Sequence, residues 1–223
     1  GSFILILGFG LFNFFHFLFQ FFMARMLSIS EYGILAALFA LVYITSILTE
    51  SIQTIITKYS SNESDPGKLK NIVKKSYKKC FKISLYLFIF YLLIAIPLSF
   101  ILRINYLLLS INGLIIFLAF FLPISRGLMQ GKERFKSLSL NIIIESSSKL
   151  VLGVLFVYLG FKVYGAMAGV VAGGIIAFFF TFLQLKDIFQ SKEKEVQTPG
   201  IYNYAKPVFL ITSIIVIFYS LDV

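Results

Sequence analysis

Long uninterrupted apolar runs, separated by short polar connections, dominate the chain. Seven can be marked, at residues 2–23, 33–56, 83–102, 106–125, 138–160, 163–185 and 206–223. Each of the first six is close to or above the roughly 18 residues that make a spanning-helix candidate. The runs are continuously apolar and do not alternate, so they read as helices and not as barrel strands. Pro97 and Pro123 fall inside the third and fourth runs, where membrane helices tolerate kinks. The pattern predicts an all-α polytopic membrane protein. Residues 1–189 form a six-helix transmembrane lobe, 190–205 a polar linker, and 206–223 the start of a seventh helix. The chain begins Gly1-Ser2 without an initiator Met and ends at Val223 inside an apolar run, so both ends read as cut. The first run lacks a basic region before it and a small-residue cleavage site after it, which argues against a signal peptide.

Composition agrees with this pattern and removes alternatives. Of 223 residues, 59% are hydrophobic and 13% charged, with mean hydropathy +0.92. Soluble domains are roughly 45–50% apolar and about 25% charged, so a water-soluble enzyme and a disordered chain are both excluded. The net charge of +10 would suggest nucleic acid in a soluble protein. Its distribution points elsewhere. Lys58, Lys68, Lys70, Lys74, Lys75, Lys78, Lys79 and Lys82 follow the second run. Arg126, Lys132, Arg134 and Lys136 follow the fourth, and Lys186, Lys192, Lys194 and Lys206 the sixth. The other connections carry one basic residue each: Arg25, Arg103 and Lys162. Such alternation follows the positive-inside rule. It predicts cytoplasmic even-numbered connections, a cytoplasmic N-terminus and no nucleic-acid partner.

Enzyme constellations are missing: no phosphate loop, HExxH, serine elbow or paired carboxylates beside a histidine can be found. No catalytic residue, cofactor or metal site is therefore expected. The lone His16 reads as a helix-interior contact, and the single Cys80 cannot form an internal disulfide. What the runs do hold is ionisable groups. Glu50 lies in the second, Glu145 and Lys149 in the fifth, Asp222 in the seventh, and Arg25 closes the first. Each charge near mid-bilayer costs about 2.5–3.5 kcal/mol on insertion scales, so these groups should face the bundle interior, a wet cavity or one another. At 1.5 Å per residue, Glu145 lies about 10 Å and Lys149 about 16 Å from the basic end of their helix. Their i, i+4 spacing lets them pair on one face. Glu50 has no partner on its own helix, and Glu50 or Glu145 is a candidate to exchange a proton during transport.

Three further segments carry patterns. Residues 68–82 read as a basic amphipathic helix, with Leu69, Ile72, Val73, Tyr77, Cys80 and Phe81 recurring among the lysines. Such a helix is expected at the lipid headgroups, where Lys68, Lys70, Lys74, Lys75, Lys78 and Lys79 would meet anionic lipid or gather pyrophosphate-linked lipid. Gly165, Gly169 and Gly173 form a small-xxx-small stripe suited to close helix packing. The stretch 190–200, with Lys192-Glu193-Lys194-Glu195, reads as a cytoplasmic connector between lobes.

Four segments carry a resemblance: "GSFILILGFG", "ARMLSISEYGILAALFALV", "RGLMQGKERFKSLSL" and "YNYAKPVFLITSIIVIFYSLDV". In order and spacing the chain resembles the polysaccharide-biosynthesis flippases of the multidrug/oligosaccharidyl-lipid/polysaccharide exporter superfamily. The resemblance implies two pseudo-symmetric six-helix lobes, of which this chain holds the first and lacks the C-terminal one. Alternating access needs both lobes. The resemblance also implies a polyprenyl-diphosphate-linked oligosaccharide as substrate, carried across the cytoplasmic membrane, with H⁺ or Na⁺ as coupling ion and membrane lipids around it. Cationic cavity residues would contact the pyrophosphate and sugars, and Arg25 and Asp222 match motif positions. The rivals are a drug or cation antiporter or a lipid II flippase of the same superfamily, and a non-transporting membrane assembly subunit. A buried Glu145–Lys149 pair without a cavity would favour the last.

Overall fold

Capping groups decide where the apolar runs start and stop. The computed structural model describes residues 2–196, so the expected seventh helix and Asp222 lie outside the described residues. Helix α1 spans Ser2–Met26 and α2 spans Ile29–Ile44. Between them Ser28 and Glu31 form a reciprocal capping box: the Glu31 amide donates to Ser28 Oγ and the Ser28 amide to Glu31 Oε2. Two of the orphan N–H groups at the start of α2 are thereby satisfied. Thr45 then interrupts the second run, its hydroxyl donating to the Val42 carbonyl at 2.6 Å. Helix α3, Ser46–Ser61, completes it.

Helix α4 runs unbroken from Pro66 to Leu102. Its 37 residues extend about 55 Å, well beyond the roughly 30 Å hydrocarbon core. The start is fixed by Asp65, which accepts from the Gly67 amide, and by Pro66 in the first turn, where a missing N–H costs nothing. Pro97 lies inside the helix without ending it. The fourth run divides into α5, Tyr106–Ala119, and α6, Leu122–Gly131, with Pro123 in the first turn of α6.

Residues Phe135–Gln184 form one apolar stretch of 50 residues, about twice what one crossing needs. It folds back on itself. Helix α7, Phe135–Phe156, ends in a π turn at Val157–Phe161, and α8, Lys162–Gln184, returns alongside it. The reversal is made at Gly160, whose φ of 91° suits a residue without Cβ. Among the described residues, the five long apolar stretches thus supply six helical runs of membrane-spanning length. The α7–α8 contact is backbone-close. A Cβ on Gly169 would lie 2.5 Å from the Gly153 amide nitrogen, one on Gly173 2.8 Å from the Glu145 carbonyl, and one on Gly165 2.8 Å from the Phe156 backbone. Helix α1 packs parallel to α7, with Gly8 against Ser139 and Phe19 against Gly153.

Two apolar clusters result. One contains Phe19, Met23, Leu35, Leu38, Leu109, Val157 and Met167. The other lies towards the lysine-rich end, with Ile56, Leu69, Val73, Ile124, Leu128, Leu138, Ile142 and Leu185. Large apolar side chains such as Tyr86, Phe100 and Phe179 point outward, as a bilayer-embedded surface requires.

The basic segment 68–82 departs from expectation. It leads directly into the third run within one helix, and the difference lies in its apolar face. Its apolar stripe is buried in protein: Leu69, Ile72, Val73 and Cys80 join the second cluster, while Phe81 is exposed. The reason is a cover. Helix α9, Lys186–Gln190, and residues 191–196 lie across it. Lys70 donates to the Ser191 carbonyl, Asn71 and Lys74 to Glu193, and Lys75 to the Val196 carbonyl. The Lys194 amide bonds the Gly67 carbonyl at 3.2 Å, and its ammonium pairs with Asp65.

Two predictions follow from this packing. Gly169→Ala should destabilise the protein by roughly 1–3 kcal/mol, because backbone cannot move aside as a flexible side chain can. Gly174→Ala, with open space around it, should be neutral or slightly stabilising; thermal unfolding in detergent measures both. The second concerns the clasp over α4. Lys194 holds the Asp65 carboxyl below its ordinary value, Lys74 and Asn71 hold Glu193 down, and Arg134 holds Asp187 down. A depressed carboxylate stabilises above its unfolded value and loses that contribution as pH falls through the folded one. Hydrogen exchange at the Lys194 amide should therefore stay slow at neutral pH and accelerate below about pH 4.

Candidate functional site

Polar side chains from α1, α6, α7 and α8 meet where the two apolar clusters adjoin. On α7, Leu138 and Ile142 belong to one cluster while Leu150 and Val154 pack on the other, and Glu145 and Lys149 fall between. On α1, Phe12 packs on the second cluster and Phe19 belongs to the first. His16 falls between them.

The expected Glu145–Lys149 pair does not form. Glu145 is bound by Arg126 of α6, with guanidinium Nη2 donating to Oε2 at 2.5 Å. Arg126 Nε donates to Asn141 Oδ1 at 2.9 Å. Buried Asn141 donates in turn to the Ala177 carbonyl and to Gln184 Oε1, and Gln184 donates to the Ser137 carbonyl. This chain ties α6, α7 and α8 together. A charge-assisted contact in a fixed donor plane fits this choice: the Arg126 guanidinium reaches Glu145 with Nη2 and Asn141 with Nε at once, which a lysine ammonium one turn away does not do.

Lys149 takes other partners. Its Nζ lies 2.9 Å from His16 Nδ1 and 4.7 Å and 5.6 Å from the ring centroids of Phe19 and Phe39. Aromatic faces attract a cation, by about 1–2 kcal/mol when water is excluded. An ammonium has donors only, so Nδ1 accepts and the imidazole proton sits on Nε2. Glu145, one turn away, also attracts Lys149, but with its charge balanced by Arg126 these three groups keep one net positive charge.

The other sequence-derived residues are not gathered here. Arg25 is exposed at the far end of α1, above the Phe21 ring. Glu50 is exposed on α3, and among the described residues its carboxylate makes no ion pair. Beside it α3 and α6 are joined by Gln53 Nε2 donating to Gln130 Oε1 and by the Thr57 hydroxyl on the Gly127 carbonyl. Sequence reasoning passed over Arg126, which counted only as a topology charge, and Asn141. Their signal was the i, i+4 spacing of Asn141 and Glu145, which presents an amide and a carboxylate on one face. It also set His16 aside as a packing contact. No group of His, Cys, Asp and Glu among the described residues has the arrangement of a metal site.

An all-α polytopic membrane protein with this helix order has the fold of one lobe of MOP-superfamily transporters. A MOP superfamily transporter from Pyrococcus furiosus, whose binding pocket is described as of reverse polarity, superposes with TM-score 0.75 at 14% identity. The match covers 99% of this chain and 52% of that one. A MATE protein in complex with MaD5 gives 0.79 at 16%, covering 99% and 53%. A multidrug resistance MATE family transporter in an outward-facing conformation gives 0.70 at 14%, covering 99% and 52%. The chain spans about half the length of these proteins. No curated protein matches significantly. The polysaccharide biosynthesis protein family matches residues 1–222, and the chain belongs to that family.

The partner assignment has a direct consequence for stability. Glu145→Gln strands Arg126, whose side chain is only 15% exposed, and should cost about 3 kcal/mol. Lys149→Met removes a charge without a counter-ion and should cost far less or stabilise. Unfolding of the purified variants in detergent gives this order; equal losses would return Glu145 to Lys149.

Proposed function

We propose that this chain is the N-terminal half of a transporter that moves a polyprenyl-diphosphate-linked oligosaccharide across the cytoplasmic membrane. Its lysine-rich end and N-terminus face the cytoplasm, in line with the positive-inside rule. Transport would need a second lobe, since alternating access rocks two lobes about a shared cavity. The observation that carries the substrate reading is the charge of the mid-membrane cluster. Lys149 has aromatic rings and a neutral imidazole around it in place of a carboxylate, and an anion is the ligand such a cation lacks. Family membership supports the oligosaccharide part of the reading.

A drug or cation antiporter is the second reading. It is favoured by the MATE neighbours and by Glu50, a carboxylate without an ion pair among the described residues. In that case Glu50 would hold the cation or coupling ion. The non-transporting alternative rested on a sealed Glu145–Lys149 pair, and these two residues have separate partners.

Transport of a fluorescent polyprenyl-diphosphate sugar by the reconstituted two-lobed protein separates the readings. Lys149→Gln should lower the rate about 10–100-fold, the value of one desolvated charge-assisted contact, while Lys149→Arg retains much of it. If Glu50→Gln abolishes transport of organic cations and Lys149→Gln leaves polyprenyl-diphosphate movement intact, the antiporter reading holds instead.

A further inference from the structure

Two basic groups stand 2.9 Å apart at His16 and Lys149, yet the pair has room for one positive charge. Two cations at that distance in a low-dielectric surrounding repel strongly, and such neighbours titrate as a unit. Lysine is ordinarily the far stronger base, so the proton resides on Lys149 and His16 is neutral. Among the described residues the one carboxylate whose charge acts on both groups is Glu145, and it is already ion-paired. On α7, Glu145 is held by Arg126 of α6. Helix α2 presents Phe39, α1 presents Phe12 and Phe19, and α8 presents Gly169 and Gly173 against the Lys149 backbone. Helix α3 carries Glu50, and none of the described ion pairs includes His16. The imidazole is nevertheless exposed on the surface of the lobe, so a ligand bound to Lys149 can reach it.

A diphosphodiester brings two negative charges, and the site as it stands offers one net positive charge. We infer that His16 is the proton-binding group of this site. When the diphosphate settles on Lys149, His16 takes one proton from water at its ring nitrogen. When the diphosphate leaves, the proton returns to water. The bound state then holds an ammonium, an imidazolium and a dianion, with no net charge left in the membrane interior. The repulsion that keeps the second proton off the empty pair is offset by the anion. Proton and substrate thus bind with positive coupling, and each raises the affinity for the other by the same factor. Carboxylates need not carry the proton in this scheme. The inference rests on the diphosphate reading above.

His16 is the only histidine in the sequence, so the test needs no substitution to isolate its signal. The protein is produced with isotope-labelled histidine and without a histidine tag, and placed in lipid nanodiscs at pH 7.5. Its imidazole nitrogens are followed by NMR as uridine-diphosphate glucose is added, a diphosphodiester whose charges do not titrate near neutrality. The expected spectrum is a neutral ring protonated at Nε2 before addition and an imidazolium at saturation. Affinity for the same probe should rise up to tenfold per unit fall in pH above the ring's transition. In His16→Gln it should be nearly flat. An imidazolium already present without ligand, a ring still neutral at saturation, or an unchanged pH slope in His16→Gln would each overturn the inference while leaving diphosphate binding in place. Failure of the probe to bind, or equal binding by Lys149→Gln, would overturn the diphosphate reading and the inference with it.

Discussion

A charged side chain in hydrocarbon must find its partner inside the protein, and the arrangement of α1, α6, α7 and α8 depends on that requirement. Arg126 and Glu145 meet it for each other, with Asn141 Oδ1 accepting from the guanidinium Nε–H. Asn141 then reaches across to α8 through Ala177 and Gln184. Close approach of α7 and α8, which the glycines at 153, 165, 169 and 173 permit, places these short polar side chains within bonding distance. Small residues and buried polar groups are therefore parts of one device. The first brings the backbones together and the second fixes their register.

Lys149 is the exception to complete neutralisation. Its contacts with Phe19, Phe39 and His16 offset part of the desolvation cost without cancelling the charge. A cation held in this way is stable enough to fold and still unsatisfied electrostatically, which is what an anion-binding position in a membrane requires. At the other extreme, Lys70, Lys74 and Lys75 of α4 are drawn into contacts with residues 191–196. The basic residues thus form a clasp for the segment after α9 and, at Lys149, a half-buried cation without an ion pair among the described residues.

Much of the fold was legible because its cause is local. Continuously apolar runs of bilayer length read as helices, and the boundary after residue 160 and the close-packing stripe of Gly165, Gly169 and Gly173 were visible as residue choices, though not the helix that the stripe meets. Less visible were the breaks at Thr45 and before Pro123, where hydroxyl and proline effects act inside runs that are apolar throughout. The amphipathic stripe of 68–82 was read correctly as a helix and assigned the wrong neighbour, since periodicity tells which side is apolar and not what covers it. The candidate site was legible in its members more than in its pairing. Glu145 and Lys149 stood out by insertion cost. Their actual partners, Arg126 and His16, lie 19 and 133 residues away in sequence, and only the packing of α6 and α1 on α7 brings them in.

The central claim is that the Lys149 position is a water-reachable anion site within the membrane-embedded lobe. Cysteine accessibility tests it most directly. With Cys80 replaced by Ser and Lys149 retained, a Phe12→Cys variant, whose thiol would sit one turn from His16, is treated in lipid nanodiscs with a small cationic thiol reagent, alone and with a saturating soluble diphosphodiester added first. The expected result is modification from water that slows when the diphosphodiester occupies Lys149. A thiol that never reacts, or one that reacts at the same rate with and without the diphosphodiester, would contradict it.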